Sequence, residues 1–220
     1  MKKYLTLALC AFVSVGLITG CGSKKEDKKK NDADSFKEVK EKMESLSNYD
    51  YDAVITVESF MNIETKMSCK DDRVNKITHC TSSSMGIETE EYLDYGNQMD
   101  YSYVMGEWTK TKVNVTENNN SYVSLGEYLT DYKETSKDGG KLITGKVSGE
   151  KLAKAMSQNG SEDYSGLISG DIDMEIFVNS DGYMEKINFT MEVMGMKEKV
   201  EVTFKNFNKA GTVELPAEVK

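Results

Sequence analysis

Between Phe36 and Leu46 the apolar residues Phe36, Val39, Met43 and Leu46 recur at helical spacing, with lysines and glutamates opposite. Ser35 and Glu38 form a capping box in front of them, so one amphipathic helix of about three turns is expected. After Tyr49 the period changes to two. Ala53, Ile55 and Val57 alternate with Val54, Thr56 and Glu58, and Ile63, Thr65, Met67 and Cys69 alternate with Glu64, Lys66 and Ser68. A turn at Lys70-Asp71-Asp72 leads to a strand from about Val74 to Thr81, and Met85-Gly86 turns into Ile87 to Leu93. Tyr95-Gly96-Asn97 turns again, Met99, Tyr101, Tyr103 and Met105 share a face, and Gly106 leads into Trp108 to Val115. Such alternation predicts antiparallel strands with one face covered and one in water.

Asn118-Asn119-Asn120 closes this meander. Ser124 and Glu127 read as a second capping box within the stripe Tyr122, Leu125, Leu129 and Tyr132, and Ser148 precedes a short stripe of Leu152, Ala155 and Met156. A strand from Lys141 to Val147 lies between these two helices, and Gln158 to Gly170 reads as loop. The C-terminal part carries the clearest strand signal. Ile172, Met174, Ile176 and Val178 form one inner face, Ile187, Phe189, Met191 and Val193 the next, and Val200, Val202 and Phe204 the third. Asn179-Ser180-Asp181-Gly182 and Gly195 supply the turns, and the only proline, Pro216, falls at an edge or terminus where a missing donor is tolerated. The pattern predicts an α+β domain over 35–220: one large curved antiparallel sheet, a half-barrel, with an N-terminal helix and inserted short helices on its concave side.

The first twenty residues follow different rules. Lys2 and Lys3 precede an uncharged apolar run from Tyr4 to Ile18, short of the roughly 20 residues a membrane-crossing helix needs. It suits the h-region of a signal peptide. The run ends in Ile18-Thr19-Gly20-Cys21, which resembles the lipobox of bacterial lipoproteins: aliphatic, small, small, cysteine. The resemblance implies cleavage of residues 1–20, diacylglycerol on Cys21, and attachment to the outer side of a membrane; the plainer reading is an ordinary signal peptide that happens to end at a cysteine. Residues 21–34 then read as the lipidated cysteine and a disordered Lys-rich tether, whose lysines either meet an anionic membrane surface or simply stay solvated. Gly22 and the lysines after it resemble lipoproteins of low-GC Gram-positive bacteria.

Charge and cysteines narrow the function. The chain has 28 basic and 37 acidic residues, and from Ser35 onward 21 face 33, which argues against a nucleic-acid partner. Of four cysteines, Cys10 lies in the leader and Cys21 in the lipobox. Cys69 and Cys80 remain, read in an exported domain as a disulfide or otherwise as two reduced, partly buried thiols. Cys80 opposes the parity of Ile77, so a bulge would be needed to bring both sulfurs to one face.

Catalytic chemistry finds little footing. His79 is the only histidine and stands beside Cys80, so neither a Ser-His-Asp nor a Cys-His arrangement is expected. Asp171, Asp173 and Glu175 begin like a calcium loop, but Ile176 replaces the glycine such a loop needs, and the acids read as the wet face of a strand. No catalytic residue, metal or cofactor is expected.

Tyr103, the run Gly106-Glu107-Trp108-Thr109-Lys110, the terminal Leu215-Pro216 and the order of elements together resemble the LolA/LppX superfamily of lipoprotein-type half-barrels. A closed barrel or a two-sheet sandwich is the architectural alternative. The resemblance implies a pocket for an acyl chain or another hydrophobic small molecule or lipid, served by a carrier or sensor. Many of the 13 methionines lie in or beside strands, where they act either as core fillers or as an adaptable lining. The candidate lining residues are Met174, Ile176, Phe189, Met191, Val202 and Phe204. The competing functional expectation is a non-enzymatic envelope interaction module with a filled core.

Overall fold

A computed structural model describes residues 33–58, 62–113, 121–157 and 166–219; the leader, Cys21 and the tether to residue 32 lie outside them. So do Met61, Val115, Asn118 to Asn120 and residues 158–165 of the expected loop. Helix α1 spans Ala33–Glu44. Ser35 therefore lies inside the helix rather than at its N-cap. At the other end Arg73 donates to the carbonyls of Met43 and Glu44 at 2.9 and 2.7 Å, satisfying groups that a helix terminus leaves open.

Twelve strands follow: β1 Asn48–Glu58, β2 Ile63–Asp72, β3 Ile77–Ser84, β4 Ile87–Asp94, β5 Met99–Val104, β6 Glu107–Lys112, β7 Thr130–Lys137, β8 Gly140–Ser148, β9 Ile168–Ser169, β10 Asp171–Val178, β11 Met184–Val193 and β12 Met196–Lys205. They form one antiparallel sheet in the order β6-β5-β4-β3-β2-β1-β12-β11-β10-β8-β7, with β9 paired to β11. The sheet is open, ending at β6 and β7, and is consistent with a half-barrel.

Two further expectations need correction. The turn before β3 lies at residues 73–76, after Lys70-Asp71-Asp72 rather than on them, because Asp72 accepts from the backbone N–H groups of Val74 and Asn75 and bends the chain there. The stripe from Tyr122 to Tyr132 is not one helix: α2 covers only Ser121–Ser124, a 3-10 turn covers Leu125–Tyr128, and Tyr132 already sits in β7. Strand β7 is polar on both faces, so it lacks the apolar alternation that marks its neighbours, although Asp138-Gly139 with positive φ at both residues is a hairpin turn. The short helix after β8 is present as α3, Gly149–Ser157, with the Ser148 hydroxyl accepting from Lys151 N–H at its start.

Cross-strand rows define the core. Ala53, Val202, Ile187, Ile176 and Ile143 stand opposite one another across five strands. Ile55, Val200, Phe189, Met174 and Gly145 form the next row. Phe36, Val39 and Met43 of α1, Tyr122 and Val123 of α2, Leu125, and Leu152 and Ala153 of α3 belong to the same buried cluster. Full burial of such side chains contributes roughly 1.5–3 kcal/mol each. Two glycines make room for this covering: a Cβ on Gly126 would fall within the Phe36 ring, and one on Gly145 would meet Leu129 and the Thr130 carbonyl.

Toward β6 the same face changes character. The row that begins with Tyr51 continues through Cys69, Cys80, Glu91, Ser102 and Thr109. On the opposite, outer face of β3 to β6, Tyr92 and Tyr101 are buried beneath Val213, with Leu215, Val219, Ile77, Met99 and Trp108 around them. The C-terminal segment thus covers the outside of this wing, held where Val213 N–H donates to Asp72 Oδ2 at 2.9 Å.

Candidate functional site

Ile18, Thr19, Gly20 and Cys21 lie outside the described residues. Cys69 and Cys80 are bonded as a disulfide. No bulge is required: the two residues are direct register partners, and it is Ile77 that turns to the outer face.

All six candidate lining residues belong to one buried cluster. Phe204 packs against Tyr49 and Tyr51, with ring centroids 5.9 and 5.8 Å apart. Tyr51 also meets Tyr122 from α2 edge-on at 6.2 Å. Val202 and Ile176 share the central row, Met174 and Phe189 the next, and Met191 the one beyond. Exposure grades along these rows: Ile176 and Ile187 are at 0%, whereas Phe189 reaches 7%, and Met191 and Ile55 reach 8%. The apolar face is closed at its centre and, among these rows, least covered at Ile55 and Met191.

The row containing Met191 also holds an acidic residue, which does not stand out in the sequence. Ile63, Val57, Glu198 and Met191 stand opposite one another, so a carboxyl lies in an otherwise apolar row. Glu198 is 5% exposed, and its Oε2 has no hydrogen-bond partner among the described residues. Burial pushes its acid constant up to about 7. Its parity with Val200, Val202 and Phe204 was the available signal. A second acidic feature sits in the β3–β6 wing, where burial, and after it the neighbouring Asp100, holds Glu91 well above the usual carboxylate range. Asp100 is raised as well, first by burial.

The outer face has its own features. His79 stacks on Tyr92 with centroids 4.2 Å apart and bonds Glu90 Oε1 at 2.8 Å, on the face opposite Cys80. Asp171, Asp173 and Glu175 are exposed there. An open groove of about 1020 Å³ on that side is lined by Lys133, Asp173, Glu175, Lys199 and Glu201 among others. A smaller one of about 580 Å³ lies over β1 to β4. Among the described residues no group of three or more His, Cys, Asp or Glu side chains is placed to hold a metal, and no helix is long and apolar enough to cross a membrane.

These elements define a single open antiparallel sheet whose apolar face is packed by separate short helices rather than by a second sheet. Among solved structures that architecture is similar to the Mycobacterium tuberculosis lipoprotein LppX, with 10% identity, TM-score 0.54, and coverage of 82% of this chain and 96% of that one. It is also matched to a LolA superfamily protein from Nitrosomonas europaea, with 8% identity, TM-score 0.37, and coverage of 86% and 97%. The likeness to LppX shows that the chain has an LppX-like fold. No protein-family model matches the sequence, and comparison with curated proteins finds no match.

Proposed function

We propose that this protein is an extracytoplasmic lipoprotein, cut before Cys21 and anchored by diacylglycerol on that residue, which carries or senses an apolar, lipid-like ligand. The helices α1 to α3 roof the concave side of the half-barrel, and the ligand lies between them and the strands. The observation that carries this reading is the apolar face running across five strands, packed by short helices and least covered beside Phe189 and Met191. Separate helices on one sheet can shift to admit an acyl chain, which gains roughly 25 cal/mol per Å² of apolar surface removed from water. The resemblance of the leader to a lipobox and the likeness of the fold to a lipoprotein support the anchor. No enzymatic step is assigned.

A second reading, an envelope interaction module with a filled core, draws on the closed centre at Ile176, Ile187 and Ile143 and on the charged outer grooves. Mass spectrometry of an organic extract separates the two. Protein carrying Cys21→Ser and purified without added lipid releases a stoichiometric amphiphile if the first reading holds. An empty extract together with a clean fold moves the assignment to the second.

A further inference from the structure

We propose that Glu198 is the polar anchor of this apolar site, and that the site selects an amphiphile whose head offers a hydrogen-bond donor, a hydroxyl or an amine, over one whose head is a carboxylate. The inference rests on the apolar-ligand reading and deepens it.

Three observations meet at this residue. The first is position: Glu198 faces Val57 on one side and Met191 on the other, next to the least covered part of the apolar face. A head group at this end leaves its chain to run along Phe189 and Ile55 toward the closed centre. The second is that Glu198 Oε2 has no hydrogen-bond partner among the described residues. A carboxyl oxygen that is buried and unbonded costs about 1–3 kcal/mol, so a donor delivered by a ligand recovers what the fold leaves open.

The third is that no cation faces Glu198 among the described residues. On β12 the lysines alternate away from Glu198: Lys197 pairs with Glu58 at 3.5 Å and Lys199 with Glu201 at 2.8 Å, both on the outer face. The flanking core-face positions on β1 and β11 are Ile55, Val57, Phe189, Met191 and Val193. The described core-facing residues are Phe36, Val39 and Met43 of α1 and Leu152 and Ala153 of α3. The other titratable groups on this face are Tyr49 and Tyr51 on β1, Asp71 on β2, Tyr122 on α2, and Glu91 and Asp100 in the far wing; its cation, Arg73, is tied to Asp71 and Tyr49 at the far end of β1 from Glu198. A carboxylate head would therefore meet a second acid with no counter-charge, whereas an ammonium or hydroxyl would complete the site.

Three C18 ligands that differ only in the head test this. Mature chain carrying Cys21→Ser is loaded with N-phenyl-1-naphthylamine, which is then displaced at neutral pH by oleyl alcohol, oleylamine or oleic acid. The alcohol and the amine should displace at concentrations about tenfold or more below the acid, the ratio that one satisfied buried hydrogen bond supplies. Glu198→Leu should bring the three together. Glu198→Gln, which keeps the shape and a hydrogen-bonding amide, should retain the preference for the alcohol and lose that for the amine. Equal displacement by all three in the unsubstituted site, or ratios that Glu198→Leu leaves unchanged, would overturn the inference while leaving the apolar site standing. Failure of the naphthylamine probe to bind at all would overturn both.

Discussion

The two wings of the sheet use one alternating pattern to opposite ends. In β8, β10, β11, β12 and β1 the apolar parity points to the face covered by helices, and the charged parity to water. In β4 to β6 the aromatic residues Tyr92, Tyr101 and Trp108 point the other way and are covered by the C-terminal segment, while Glu91, Asp100 and Ser102 occupy the inward parity. The difference teaches that alternation reports two faces but not which one is enclosed. What encloses a face is set by elements distant in sequence, here the stretch around Val213 to Val219.

The sharpest way to break this comparison is to remove one large aromatic from each wing. Phe204→Ala should cost about 3–5 kcal/mol, since it deletes the ring on which Tyr49 and Tyr51 pack. Trp108→Ala, taken from a half-buried position beside Tyr92 and Tyr103, should cost less than about 2 kcal/mol. Its effect in hydrogen exchange should stay within β3 to β6. Urea denaturation showing equal losses would mean the two wings are one core.

Much of this was legible in the residues, and the exceptions have physical causes. The three C-terminal inner faces emerge where expected because each is apolar at alternate positions, Glu198 apart, and bounded by a turn with glycine. Strand β7 has no apolar alternation to mark it: Tyr132 alone packs against the core, and the rest of the strand is exposed and paired to β8. Cys80 read as out of phase because Ile77 was assumed to point inward; the Cys69 partnership and the outer apolar patch show the reverse. Glu198 was hidden by its type, since a glutamate between lysines reads as a wet position, yet its parity places it among valines and a phenylalanine.

Glu198 also gives the core wing a pH signature. Its folded-state constant, about 7, lies above the ordinary carboxylate value, so its contribution to stability is full below that ordinary value and is lost as pH rises through 7. Between pH 5 and pH 8 the protein should lose roughly 2–3 kcal/mol from this group. Glu91 and Asp100 act in the same direction in the other wing. Glu198→Gln should gain on the unsubstituted protein across that range in thermal melts; parallel pH profiles would show that the carboxyl is solvated.

A smaller effect is expected where the outer cover is tied down. Asp72 accepts from Val74, Asn75 and Val213, joining the β2–β3 turn to the C-terminal segment. Asp72→Ala should cost about 1–2 kcal/mol and raise proteolysis after Ala210 without changing protection in β10 to β12. Loss of protection in both wings would remove the distinction between them.

The central claim is that the helix-covered wing, and not the other, accepts an apolar ligand. Its most direct measurement is a titration of the Cys21→Ser protein with a phospholipid labelled on its acyl chain, repeated with Phe189→Asp and with Trp108→Ala. Saturable binding of micromolar affinity or better, abolished by Phe189→Asp with the far-UV spectrum intact and unchanged by Trp108→Ala, is the predicted result. Absence of saturable binding by the folded protein across several lipid classes, or binding that Phe189→Asp leaves untouched, would contradict it.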